Sequence, residues 1–246
     1  MSLKGWQEKY EEILTEFGYD KSQELKSATI LNSILKTGPP IRKLERRIRN
    51  KTVFVIGAGP SLSSSLPYLK KFRRITKIVA DGATKGLIEN GIKPDVVVTD
   101  LDGNIEFLRR AADAKSVMVV HAHGDNIQLL PYAISFSYCI GTTEGKPFGK
   151  IRNFGGFTDG DRCVFLARYF GASRIILFGM DFGTRVGKYS KEGKYNKSVK
   201  QNKLKRGKSL LEWLATKDTI DLYTISSSIT GFKRVKLADL QKLVRS

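Results

Sequence analysis

Asp100 and Asp102, two positions apart and followed by Gly103, make a concentrated chemical signal in this 246-residue chain. They stand just past a short apolar run, Asp95–Thr99. Carboxylates at i and i+2 on a turning backbone reach one hard cation through oxygen ligands. Mg²⁺ in particular takes one or two carboxylates together with phosphates and water. A solvated acidic turn, with Asp102 or Asn104 capping the next helix, needs the same residues. Asp81 and Asp125, at the ends of neighbouring apolar runs, weigh toward the metal.

Other chemistry-bearing residues also follow apolar runs. Gly57-Ala58-Gly59-Pro60-Ser61 follows one and precedes a helical stretch. Glycines there let the backbone approach a phosphate, and a helix N-terminus favours negative charge. A tight strand-to-helix turn is the alternative, and Leu62 stands where a dinucleotide fingerprint has its third glycine. Both histidines lie in His121-Ala122-His123-Gly124-Asp125-Asn126. On extended chain His121 and His123 face the same side, as metal ligands, proton donors, phosphate contacts or core residues. Asn153-Phe154-Gly155-Gly156-Phe157-Thr158-Asp159-Gly160-Asp161-Arg162 is a glycine-rich polar loop entering a helix. Arg162 is suited to bidentate phosphate contact, and Thr158 or Asp159 to capping.

These residues need a scaffold. Trp6, Tyr10, Ile13, Leu14 and Phe17 recur at helical spacing, Gly18 is a stop, and Asp20 is an N-cap with Gln23 as an imperfect capping box. Leu25, Ala28, Leu31, Ile34 and Leu35 predict a second helix, and residues 41–50 a short basic one with Ile41, Leu44 and Ile48 inward. Strands are predicted at Val53–Ile56, Lys77–Ala80, Asp95–Thr99, Val117–Val120, Phe136–Cys139 and Arg174–Phe178. Helices are predicted at Leu62–Lys71, Lys85–Asn90, Ile105–Ala114, Ile127–Ile134 and Asp161–Tyr169. The alternation argues for an α/β fold: a mostly parallel Rossmann-like sheet flanked by helices, with an N-terminal helical segment. The division expected is 1–50 for that segment and 51–246 for the α/β domain. In such a sheet ligands bind outside the carboxyl ends of the strands, so the polar strand ends converge on one crevice. Leu210, Leu211, Trp213 and Leu214 suggest a late helix, Leu222–Ile225 a last strand and Leu237–Val244 a terminal helix.

Composition narrows the classes. Two cysteines, Cys139 and Cys163, exclude a disulfide framework, and no apolar run approaches the length of a membrane span. The early glutamates at 8, 11, 12 and 16 argue against a signal peptide, so the expectation is a soluble, cytoplasmic protein. The net charge of +19 favours a polyanionic partner. Residues 187–208 hold nine Lys or Arg against one Glu. That stretch reads as a mobile basic lid over a triphosphate, a nucleic-acid arm with Tyr189 and Tyr195 stacking on bases, or a solvated loop.

Taken in order, VIGAGPSL, ADGA, KPDVVVTDLDG, HAHGDN, NFGGFTDGDR and GMDFG give the chain a specific likeness. It resembles the archaeal 6-hydroxymethyl-7,8-dihydropterin pyrophosphokinases, the MptE-like family, over nearly its whole length. The ADGA to TDLDG part also resembles thiamine pyrophosphokinases. Glu144 stands where glutamine is usual in the family, and the basic run is denser than the family's.

The resemblance implies Mg²⁺-dependent transfer of pyrophosphate from ATP to the hydroxymethyl group of a reduced pterin, with release of AMP, in making a folate- or methanopterin-type cofactor. On that reading Asp100 and Asp102, helped by Asp81 or Asp125, hold Mg²⁺. Gly57, Gly59, Ser61, Asp81, Gly82 and His123 line the nucleotide side. Asp125 or Asp161 orients the attacking hydroxyl, and Arg162 with lysines of the basic stretch stabilises the transferring group. Asp159 or Asp181, with Asn153 and Thr158, accepts the N–H donors of the pterin. Alternatives are a thiamine pyrophosphokinase or related transferase, and a non-catalytic nucleic-acid-binding protein. Six aspartates (81, 100, 102, 125, 159 and 161) oppose the last. A homo-oligomer stays open.

Overall fold

Strands made of valine and isoleucine runs are buried on both faces here, as parallel strands covered by helices must be. The computed structural model describes residues 3–36, 38–190, 196–217 and 219–245. Among them are β1 (Thr52–Ile56), β2 (Thr76–Ala80), β3 (Val96–Thr99), β4 (Val117–His121), β5 (Cys139–Thr142), β6 (Ile151–Arg152), β7 (Arg174–Phe178), β8 (Asp221–Thr224) and β9 (Lys233–Arg234). All nine pair in parallel in one sheet, in the order β6-β5-β4-β3-β2-β1-β7-β8-β9. The order turns back between β1 and β7, so a crevice opens there at the carboxyl edge.

The helices are α1 (Trp6–Phe17), α2 (Lys21–Ile34), α3 (Ile41–Ile48), α4 (Leu62–Lys71), α5 (Asp81–Glu89), α6 (Ile105–Asp113), α7 (Asp159–Tyr169), α8 (Lys197–Ala215) and α9 (Leu240–Arg245). The two-residue period of the strands sorts them. Val53, Val55, Ile78, Val96, Val98 and Leu177 face α1, α3, α7 and α8. Phe54, Ile56, Val79, Ile176 and Phe178 face α4, α5 and α9, while Val97, Met118 and Val120 face α2 and α6. The first two helices therefore cover opposite faces of the sheet. No helix among the described residues is long and apolar enough to cross a membrane.

Four local expectations are corrected. The helix predicted at Ile127–Ile134 is two 3₁₀ turns, Gly124–Asn126 and Leu130–Ser135. Pro131 lacks the N–H that an α-helix would need there. The strand predicted at Phe136–Cys139 runs Cys139–Thr142, because pairing with β4 sets Met118 against Cys139 and His121 against Thr142. Asp20 caps α2 as expected, accepting from Ser22 N and the Ser22 hydroxyl, but Leu25 of the predicted stripe is 60% exposed. Residues 197–208 belong to α8, which Asn196 caps by accepting from Ser198 N and Val199 N. Tyr195 lies outside the described residues.

Candidate active site

The carboxyl ends of β2 and β3 place three aspartates together. Asp81 opens α5, and its Oδ2 accepts from the Thr99 hydroxyl and, at 3.2 Å, from Gly103 N. Leu101, between the other two, has φ of 70°, a left-handed conformation that is strained for leucine. Its N–H donates to Thr99 Oγ1 at 2.7 Å and its side chain is buried, which holds the turn. A side chain at Gly103 would overlap Asp81, so only glycine admits the approach. Asp81, Asp100 and Asp102 each bring one carboxylate oxygen within 4.8 Å of the others, and Asp81 Oδ1 is buried without a hydrogen-bond partner. Burial, with the charges of Asp100 and Asp102, pushes Asp81 up to about 7. Burial also acts to raise Asp100. The hydrogen bond and charge of His123, whose Nε2 is 3.4 Å from Asp100 Oδ2, outweigh it and hold Asp100 well below the usual carboxylate range.

The loop before α7 supplies the facing wall. Asp161 accepts from Phe157 N at 2.6 Å, from Thr158 N at 2.8 Å and from the Thr158 hydroxyl. Asn153 donates to the carbonyls of Glu144 (2.6 Å) and Gly145 (2.7 Å) and accepts from Gly155 N. Both residues are engaged in shaping the loop. Gly156, at φ of 92°, has Arg162 Cα 2.6 Å from where a Cβ would sit. The buried Arg162 donates from Nη2 to Glu144, and its Nη1 lies 3.7 Å from Asp159 Oδ1. That oxygen is buried with no hydrogen-bond partner. Burial, then the charges of Asp100 and Asp81, raises the Asp159 pKa well above the usual range.

These groups line a cavity of about 410 Å³ that includes Asp81, Gly82, Asp100, Asp102, His123, Thr158, Asp159 and Arg162. Tyr19, Glu24, Glu144, Phe157, Lys200 and Lys203 complete its chemistry. A smaller cavity of about 140 Å³ at the β1/β7 reversal, lined by Gly57, Gly59 and Asp181, shares Ala58, Thr158, Gly160 and Lys200 with it. A third, of about 280 Å³, shares Asp81, Gly82, Asp102 and Gly103 and adds Lys85.

Several expected site residues are placed otherwise. Asp125 has a side chain 79% exposed and is outside these linings, because the 3₁₀ turn directs it outward. Asp161 and Asn153 are engaged in the loop, as described. Asp181 Oδ2 accepts from Ser61 N (2.8 Å) and Ser61 Oγ (2.7 Å), so the chain's own carboxylate meets the start of α4, where a phosphate was expected. Gly57 and Gly59 admit the β7 loop: added side chains would press on Gly179 O and Asp181. Glu24 and Tyr19 carried no motif signal, and Phe157 stood in the glycine-rich motif without an assigned role. Lys200, Lys203 and Leu204 share one helical face, a spacing visible once 197–208 is read as helix.

Comparison with known proteins supplies independent information. Residues 27–187 match the family described as 6-hydroxymethylpterin diphosphokinase MptE-like. A 6-hydroxymethyl-7,8-dihydropterin pyrophosphokinase of Pyrococcus furiosus is 46% identical over 222 residues, covering 87% of this chain and 94% of that protein. Proteins of the same name from Methanocaldococcus jannaschii (40% identical, 90% and 98% covered) and Methanothermobacter thermautotrophicus (42%, 87% and 95%) are also similar. Among solved structures, a Maf glycosyltransferase from Magnetospirillum magneticum AMB-1 superposes with a TM-score of 0.54 at 13% identity, over 86% of this chain and 39% of that one. That likeness is one of fold.

Proposed function

The chain belongs to the MptE-like 6-hydroxymethylpterin diphosphokinase family, and on that premise we propose that it moves the β,γ-diphosphate of ATP onto the hydroxymethyl oxygen of 6-hydroxymethyl-7,8-dihydropterin, releasing AMP. The enzyme is a diphosphotransferase. The observation that carries the reading is the convergence of Asp81, Asp100 and Asp102 on a cavity that also receives Arg162 and the lysines of α8. An O–Pβ bond forms, the bond from Pβ to the Pα-side oxygen breaks, and that oxygen leaves on AMP.

The three aspartates fit Mg²⁺: all donors are carboxylate oxygens, and the buried Asp81 Oδ1 lacks any other partner. When bound, Mg²⁺ neutralises phosphate charge and polarises the transferred group. His123 accepts from Asp125 N at Nδ1, 3.3 Å away, which leaves Nε2–H directed at Asp100 and fixes that carboxylate as an acceptor. Lys200 and Lys203 bring positive charge to the same space from α8. Arg162, held by Glu144, adds a fixed guanidinium for a phosphate oxygen. Asp159, in the cavity wall with Oδ1 making no hydrogen bond, takes the alcohol proton as the new bond forms. Positioning and charge supply most of the catalysis in such transfers.

Incubation of the purified chain with Mg²⁺-ATP and the reduced pterin should yield equimolar AMP and pterin diphosphate, and EDTA should stop it. Formation of ADP instead, or no AMP from folded protein, rejects the reading.

A further inference from the structure

Three hydrogen-bond acceptors meet beside the central cavity: Glu24 and Glu144 in its wall, and His121 in a small pocket that shares Arg162 with it. Glu24, His121 and Glu144 are all buried, and each brings one acceptor atom within 4.8 Å of the other two. The neighbours of His121 fix its tautomer. Thr142 Oγ1 donates its single proton to Val120 O at 3.1 Å, so it accepts from His121 Nδ1 at 3.2 Å. His121 Nε2 is then a bare lone pair. It is buried without a hydrogen-bond partner and 3.8 Å from Glu144 Oε1. Glu24 Oε1 accepts weakly from Gly124 N at 3.4 Å, and Glu24 Oε2 is buried with no partner. Arg162 Nη2 is directed to Glu144. A buried acceptor with no donor is unfavourable unless something else completes it. Glu24 and Glu144 line the cavity, and burial together with the Glu144 charge pushes Glu24 up to about 7.

The same cavity has aromatic walls. Tyr19 and Phe157 line it, with ring centroids 6.3 Å apart and planes at 48°. A flat heterocycle with N–H donors along one edge matches both features: faces for the rings, donors for the carboxylate. We infer that Glu24 determines the specificity of the acceptor site, its unpartnered oxygen accepting from the 2-amino and N3–H groups of the pterin's amino-pyrimidinone edge. This rests on the diphosphotransfer reading above. A second divalent cation is the other occupant such acceptors admit, but the Arg162 guanidinium already places a fixed positive charge on the cluster, which favours neutral donors.

The test compares 6-hydroxymethyl-7,8-dihydropterin with its 2-oxo analogue in the wild-type chain and in Glu24→Gln, an isosteric change. Wild type should prefer the amino compound strongly, in binding and in kcat/KM. Glu24→Gln should raise the acceptor KM roughly 10- to 100-fold, the range for losing a hydrogen bond to a charged group. The KM for ATP should stay within about twofold, and the preference for amino over oxo should collapse, because the amide NH₂ can donate to the 2-oxo group. A wild type that turns over no pterin removes the underlying reading. An active wild type with unchanged acceptor KM and unchanged preference in Glu24→Gln overturns the inference alone. Stoichiometric transition metal in the purified wild type, lost in Glu24→Gln, overturns it in favour of a cation. Should the variant not fold, wild-type binding that ignores the 2-amino group, read by fluorescence titration with both compounds, overturns it equally.

Discussion

Asp81 and Asp100 stand at the ends of neighbouring strands, yet their proton affinities move in opposite directions. Asp81 has a threonine hydroxyl and a backbone N–H as its donors, and burial, with the charges of two further carboxylates, raises it to about 7. Asp100 has His123 beside it and feels Arg162, so it stays ionised. A cation among the three would be held by charge already present at Asp100. Asp100→Asn should therefore lower Mg²⁺-dependent AMP release by roughly 100-fold or more, with an unchanged circular dichroism spectrum; near-normal turnover would remove this aspartate from the metal set. Glu24 yields a stability prediction of the opposite kind. Its pKa rises from the ordinary 4.5 to about 7 in the folded chain, so between those values the native state binds more protons than the unfolded one. Its contribution to stability then falls as pH rises through that window, by up to about 3 kcal/mol. Glu24→Gln should match wild type near pH 5 and exceed its melting temperature at pH 8. An equal difference at both values would contradict the raised pKa.

Helix starts carry much of the site's construction. At α4 the half-buried N–H and hydroxyl of Ser61 converge on Asp181, which reaches across from the loop after β7. The sequence, read locally, offers Gly57 to Ser61 as a phosphate cradle. It does not show that a carboxylate 120 residues later arrives first. Asp181→Ala should cost about 1–2 kcal/mol through loss of this cap, a fall in melting temperature of roughly 2–8 °C. An acceptor KM that rises with no thermal shift would instead return Asp181 to substrate binding. At α7 the same economy of parts appears in Thr158 and Asp161, and at α8 in Asn196. The α8 case shows what composition hides. A run of lysines looks solvated and mobile, whereas here one face carries Lys200 and Lys203 to the cavity. Arg206 of the same helix pairs with Glu12 and Glu16 of α1.

Across the whole molecule, the first two helices complete the cavity as well as covering the sheet. Trp6, in contact with Phe165, donates from Nε1 to the Glu144 carbonyl at 3.2 Å, and α2 delivers Glu24. Their buried residues belong to the same apolar clusters as the strands, on opposite faces. Trp6→Phe keeps most of the packing and drops that hydrogen bond. It should lower stability by about 1 kcal/mol, while Trp6→Ala should lose roughly 3–5 kcal/mol, both measured by denaturant unfolding. Equal losses in the two variants would show that the indole N–H contributes nothing.

The alternation of apolar runs with helical stripes was enough, by itself, to determine a parallel sheet flanked by helices. Burial on both faces leaves no other use for Val53–Ile56, Val96–Thr99 or Val117–His121. The pairing of Asp100 and Asp102 was equally plain, since two residues apart on one turn is a local matter. Tertiary structure decided the rest. Which glutamates were buried and that Asp181 meets Ser61 depend on residues far apart in the chain being packed into one wall, whereas Asp161 is engaged by Phe157 and Thr158 of its own loop and Asp125 is directed outward by its own turn. Charge and polarity in a sequence state what a side chain can do; only the packed surroundings set which of its atoms are left without a partner.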